Sequence, residues 1–286
     1  MRLRGVMTCL AGMLLATAAG SAMAGDHDDA LGLSLGDSVV FGFIAQAGHA
    51  YVNPTNFMGY PEHDSLLLDL AFTNAACPGE TTGSLLSAAA ADNGCRAFRA
   101  AFPLHVPYNS TQIAFATEYL RLHRSVRVVT IGIGANDLFL LQNSCASAPD
   151  PTACIDAELP SVLVSISTNM AKILQDIRST GYGGEIVIVN YYSLDYSDTA
   201  NTEITRLLNQ SITAPARSFG AVIADVFAAF QNAVSNPAIG GKVCNAGLLN
   251  VNPQDPTQGT CDVHPSQSGQ RLIAATVARA VRNRPW

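Results

Sequence analysis

Residues 126–134, Val-Arg-Val-Val-Thr-Ile-Gly-Ile-Gly, form a β-branched apolar run interrupted by a single charge. A strand with one wet face alternates polar and apolar residues. A continuous run of this length instead fits a strand buried on both faces, as in parallel sheets. Parallel strands need crossover helices, and the rest of the chain alternates accordingly. Further strand candidates lie at 30–35, 66–75, 185–192 and 221–227. Thr111–Arg124 carries Ile113, Phe115, Ala116, Tyr119 and Leu120 near helical spacing. Asp156–Thr180 reads as a longer helix stopped by Gly181, Gly183 and Gly184. A last helix is expected at about 267–283, with Arg279, Arg282 and Arg284 near its C-terminal end, where the helix dipole favours cations. Strand–helix alternation predicts an α/β fold, a three-layer α/β/α sandwich around a five-stranded parallel sheet. Long polar loops at 46–64, 93–109, 143–155 and 236–265 exceed ordinary connections, and such loops often carry function.

The first 24 residues are set apart from this pattern. Arg2 and Arg4 precede a short apolar stretch, and Ala22-Met23-Ala24 forms a small-x-small cleavage site. We read residues 1–24 as a signal peptide and 25–286 as a single domain. No other run approaches the ~20 apolar residues of a membrane span, so no transmembrane anchor is expected after cleavage. The destination is secreted or periplasmic. With 48% apolar residues the chain has ample core material, which excludes wholesale disorder. A net charge of −6 argues against nucleic acid as a partner. Removal of Cys9 with the signal leaves six cysteines. An even count in an exported chain reads as disulfides, and no C-x-x-C spacing points to zinc.

Ligands of open α/β sheets bind beyond the carboxyl ends of the strands. Gly36-Asp37-Ser38 follows the first strand, Asn74-Ala-Ala-Cys-Pro-Gly-Glu-Thr-Thr the second, and Gly134-Ala135-Asn136-Asp137 the third. Asp262-Val263-His264-Pro265 precedes the last helix. A serine, a glycine turn, an asparagine and a histidine are the parts of an acyl-transfer site. Rival motifs are weaker. Gly32-Leu33-Ser34-Leu35-Gly36 matches G-x-S-x-G, but that elbow must follow a strand and open a helix, and Leu33 and Leu35 read as strand interior. Gly132-x-Gly134-x-x-Asp137 lacks the third glycine of a dinucleotide fingerprint, and Asp137 reads as a helix N-cap. His27, His49, His63, His105 and His123 have no ligand-like spacing and read as surface or loop residues.

Taken together and in order, these fragments resemble the SGNH (GDSL-type) serine hydrolase family, over about 31–283. The resemblance implies a flavodoxin-like sheet and makes Ser38 the nucleophile and His264 its base. It makes the Ser38 N–H, the Gly79 N–H and the Asn136 amide the oxyanion donors. The family usually has an aspartate three residues before the histidine. Here Cys261 stands there and Asp262 lies two before. Either Asp262 reaches the imidazole from a distorted loop, or a backbone carbonyl orients the ring. Glu80 is read as a cap of the following helix. Tyr51, Asn53, Phe57 and Tyr60 in the 46–61 loop are read either as an acyl-pocket wall or as a packed cover.

Six cysteines allow 15 connectivities. Nearest-neighbour pairing gives Cys77–Cys95, Cys145–Cys154 and Cys244–Cys261, each beside one of the blocks. The implied activity is hydrolysis of a small-molecule or lipid ester through an acyl-serine, by a monomer, with no cofactor and no metal. A carbohydrate O-deacetylase or acyltransferase on the same site, and an inactive binding module with the same fold, are the alternatives.

Overall fold

The computed structural model describes residues 30–252 and 260–283. Residues 1–24, read above as a signal peptide, and Arg284 lie outside the described residues. The chain runs β1 (Leu31–Gly36), α1 (Ser38–Phe41), α2 (Tyr60–Leu68), β2 (Ala71–Asn74), α3 (Thr82–Leu86), α4 (Cys95–Ala101), α5 (Gln112–Leu122) and β3 (Val126–Gly132). It continues through α6 (Ala135–Cys145), α7 (Pro151–Ser179), β4 (Glu185–Val189), α8 (Thr199–Thr213), β5 (Val222–Ala224) and α9 (Val226–Ala233). It closes with β6 (Leu249–Val251), β7 (Cys261–Pro265) and α10 (Gln267–Arg282). Polar side chains start the helices where capping chemistry predicts. Asp37, Thr111 and Asp150 each accept a backbone N–H from the first turn, and Pro151 occupies the first turn of α7.

Five strands form one parallel sheet in the order β2-β1-β3-β4-β5. This is the flavodoxin-like order. Two apolar layers cover it, and the period-2 alternation of the strands assigns residues to each. Leu33, Leu35, Val129, Ile131, Ile186 and Ile188 pack with residues of α5 and α7. Val128, Val187 and Val189 pack with Tyr60, Phe230, Ile273 and Val277 on the other face. Each such fully buried side chain contributes about 1.5–3 kcal/mol. The chain reverses winding direction between β1 and β3, so the crevice lies at their carboxyl ends. There Gly36 has φ +151° and sits so close to the Gly132 carbonyl that a Cβ would collide with it. Only glycine lets these two strand ends converge.

Several sequence expectations shift. Residues 66–68 end α2 rather than open a strand, because Asp69 turns left-handed at φ 54° and β2 begins only at Ala71. The long helix α7, in the crossover from β3 to β4, starts at Pro151, not Asp156, and carries Pro160 inside it. Asp137 lies within α6 and is not its cap. Thr81, not Glu80, caps α3. Ser34 is buried in β1, its hydroxyl 2.7 Å from that of Thr130. His105 is a half-buried loop residue: its ring lies 4.6 Å from that of Phe41 and its Nε2 donates to the Phe41 carbonyl at 3.0 Å. Tyr51, Phe57 and Tyr60 are core residues, so the 46–61 loop is a packed cover. Among the described residues, no helix is long and apolar enough to cross a membrane.

Candidate active site

Ser38 is the first residue of α1, immediately after the Gly36 turn. The first N–H groups of a helix have no partner within the helix. Asp37 takes that of Val39 at 2.9 Å, and the Ser38 N–H meets no acceptor among the described residues. On its other side, Ser38 Oγ lies 2.9 Å from His264 Nε2. His264 Nδ1 lies 2.7 Å from Asp262 Oδ2. Asp262 and His264 are residues i and i+2 of β7, so an extended backbone puts both side chains on one face. The segment pairs antiparallel with β6, and the register shifts between the Leu249–Pro265 and Val251–Cys261 pairs, so Asp262–His264 lie in an irregular, bulged stretch of β7. Burial alone pushes the Asp262 carboxyl up. The His264 contact and the backbone N–H groups of Val263 and Ala45 outweigh that and hold it below the usual carboxylate range. Phe43 meets the His264 ring edge-on at 4.9 Å, and Tyr192 donates to the Val263 carbonyl at 2.6 Å.

Gly79 sits in a turn in which the Glu80 N–H donates to the Cys77 carbonyl at 3.1 Å, and the Cys77 N–H donates to the Gly36 carbonyl at 3.1 Å, which ties this turn to the end of β1. It has φ +85°, and a Cβ there would strike the Asn93 carbonyl. The Gly79 N–H also meets no acceptor among the described residues. Asn136 is buried in the first turn of α6. Its Nδ2 donates to the Glu80 carbonyl at 2.9 Å and lies 3.5 Å from Asp37 Oδ2. An amide nitrogen carries two protons, so one is held and the other rests on a long, weak contact.

Ser38, Asn136 and His264 line one crevice, and Asp262 joins it through its hydrogen bond to His264, whereas Gly79 is not among the lining residues. Sequence reasoning missed their supports. Asp37 is fully buried and its carboxyl is pushed up by burial to about 6, against the hydrogen bond from Tyr191 at 2.5 Å. Asn209 pairs its side chain with both backbone groups of Tyr191. Gln112 clamps Gly36, accepting its N–H at 2.5 Å and donating to its carbonyl at 3.0 Å. Only tertiary contacts reveal these roles.

Three disulfides pair Cys77 with Cys95, Cys145 with Cys154 and Cys244 with Cys261, the neighbouring arrangement expected. Cys77 and Cys95 also gather with Glu80 in a grouping that resembles a ligand set, but their sulfurs are bonded to each other. A cleft of about 200 Å³ opens beside Ser38 and His264. Leu138, Phe139, Leu194, Ile204 and Leu208 give it an apolar wall. A larger hollow of about 460 Å³, lined by Arg96, Arg99 and Tyr108, lies behind Glu80 and does not include Ser38.

Sheet order and crevice are those of the SGNH hydrolase fold. An acetyl xylan esterase from Geobacillus stearothermophilus shares it, with a TM-score of 0.52 at 16% identity, covering 89% of this chain and 94% of that one. An α/β hydrolase enzyme from the metagenome of Lake Arreo, Spain, gives 0.54 at 15% identity, covering 88% and 95%. At such identities the likeness concerns the fold alone. No curated protein matches the chain in sequence. The GDSL-like lipase/acylhydrolase family matches residues 34–272, and the chain belongs to that family.

Proposed function

We propose that this chain is an exported serine hydrolase that cleaves carboxylic esters through an acyl-Ser38 intermediate. The observation that carries this reading is the unbroken Ser38–His264–Asp262 hydrogen-bond chain beside two free backbone N–H groups. His264 Nε2 takes the hydroxyl proton as Ser38 Oγ attacks the ester carbonyl. The carbonyl π pair moves onto oxygen. The oxyanion is then met by the N–H groups of Ser38 and Gly79 and the second Asn136 proton. As it collapses, the bond to the alcohol oxygen breaks, and His264 returns its proton to that oxygen. Water repeats the cycle on the acyl-enzyme and frees the acid. Asp262 holds the ring and stabilises the imidazolium. Three disulfides support export to an oxidising compartment, with residues 1–24 as the signal and 25–286 as one catalytic domain.

The apolar wall beside Ser38 favours an acyl chain over a bare acetyl group. The acetyl xylan esterase with the same fold motivates the opposite arm of the test. A fluorophosphonate probe is expected to label wild type at Ser38 and leave Ser38→Ala unlabelled. A p-nitrophenyl ester series is expected to show kcat/KM rising from acetate to medium chains. Activity confined to acetate would support a deacetylase. No labelling and no turnover would leave a binding module.

A further inference from the structure

Resting on that reading of Asn136, we propose that Asn93 is a positioning residue that fixes which end of the Asn136 amide faces the oxyanion. Asn93 Nδ2 donates to Asn136 Oδ1 at 2.9 Å. Its backbone N–H donates to the Gly79 carbonyl at 2.8 Å. One residue therefore touches both proposed oxyanion donors that lie outside the nucleophile turn. An asparagine amide has two ends of almost equal shape and opposite polarity. With Asn93 donating to Oδ1, the Asn136 NH2 group is left for the Glu80 carbonyl and the crevice. Were the amide reversed, Oδ1 would meet the Glu80 carbonyl and the developing oxyanion, both repulsive.

The segment bearing Asn93 is built to stay in place. Arg96 donates to the Ala88 and Ala90 carbonyls at 2.7 Å each and pairs with Asp92. Asp92 Oδ1 accepts the Gly94 N–H at 2.8 Å. Cys95, two residues on, is bonded to Cys77, two residues before Gly79. The disulfide and the Asn93 backbone bond to Gly79 tie the same two segments together, and the Asn93 side chain adds α6 through Asn136.

Asn93→Asp tests the polarity directly. A carboxylate offers only acceptors, so it draws the Asn136 NH2 group toward itself and turns Oδ1 to the crevice. We expect kcat on the preferred p-nitrophenyl ester to fall about 10²-fold, the scale on which a lost oxyanion donor is felt, with KM within threefold and melting temperature little changed. Asn93→Ala keeps the backbone bond to Gly79 and removes only the side chain. It should lose about tenfold in kcat. Combined with Asn136→Ala, either Asn93 change should cost less than threefold more, because its target is gone. Asn93→Asp within twofold of wild type, or an undiminished loss in the Asn136→Ala background, would overturn the inference. So would failure of both Asn93 variants to fold, which would make Asn93 a folding determinant. If Asn136→Ala costs nothing in an active wild-type enzyme, the oxyanion reading of Asn136 itself fails. If Asn136→Ala is costly and Asn93 silent, only the present inference fails.

Discussion

At the residue scale, the spacing of Asp262 and His264 decides how the imidazole is held. In a loop, a one-residue displacement from the family's usual position turns a side chain away. In an extended strand, i and i+2 share a face, and Asp262 Oδ2 comes within 2.7 Å of His264 Nδ1. Across the register irregularity of β7, the displaced carboxylate still reaches the imidazole. Asp262→Asn keeps the size and the Oδ1 acceptor for the Val263 N–H but removes the charge that stabilises imidazolium. Its kcat is expected to fall by up to about 10⁴-fold, the loss seen when an equivalent carboxylate becomes an amide, with KM nearly unchanged. Steady-state kinetics of a folded Asp262→Asn within a few-fold of wild type would show that something else holds the ring. Ser38, Gly79, Asn136 and His264, the residues of the proposed site, could be named from the sequence because each sits in a short local motif. Asn93 was not. Asn93-Gly94 announces a turn, whereas its contact with Asn136 spans 43 residues and exists only once α6 packs beside the loop.

At the element scale, the sequence disclosed the sheet better than the connections. Buried parallel strands are continuous apolar runs, and β1, β3 and β4 were visible as such, whereas the edge strand β2, short and only partly buried, was placed too early. The β6–β7 hairpin was not, because its pattern of intermediate burial leaves no apolar stripe to read. Leu66–Leu68 failed for a related reason: three leucines fit a strand or the end of a helix, and only the left-handed Asp69 separates them. The disulfides also differ by element. Cys261 opens β7, three residues before His264, and Cys244 anchors it. Cys145 ends α6, nine residues and about 14 Å of helix beyond Asn136. Removing either bridge frees a loop in the unfolded chain and should cost on the order of 3 kcal/mol. Replacing Cys145 and Cys154 by serine is therefore expected to lower the melting temperature with kcat within a few-fold of wild type. Replacing Cys244 and Cys261 is expected to lower both, since a base displaced by ~1 Å can lose ~10²-fold. Calorimetry and kinetics on the two pairs separate these outcomes. Equal kcat losses would mean that the bridges act only on global stability.

At the scale of the whole molecule, the balance of 22 acidic against 16 basic residues matters less than where the acids are. Burial lifts the Glu62 carboxyl to about 7, against the Asn74 amide and backbone N–H groups that favour its charge. Burial likewise lifts Glu80 to about 7 and Asp37 to about 6, and raises Asp64 and Asp137. A carboxyl raised in the folded state binds more protons there than in the unfolded chain. Its stabilising contribution is complete below the unfolded value, 4.5 for glutamate, and is lost as pH rises through about 7. The fold thus carries a cost toward alkaline pH that surface pairs such as Lys172–Asp176, worth little in water, do not offset. Glu62 offers a handle on this cost, because it lies in α2, accepts from Asn74 and takes no part in the proposed chemistry, and its charge also raises the neighbouring Asp64. Glu62→Gln keeps an acceptor for Asn74 and cannot ionise. The difference in melting temperature, variant minus wild type, is expected to grow as pH rises from 5 to 8. Thermal unfolding in matched buffers checks it. Parallel curves for the two proteins would mean that Glu62 titrates alike in the folded and unfolded chains, and that its burial is relieved before the charge forms.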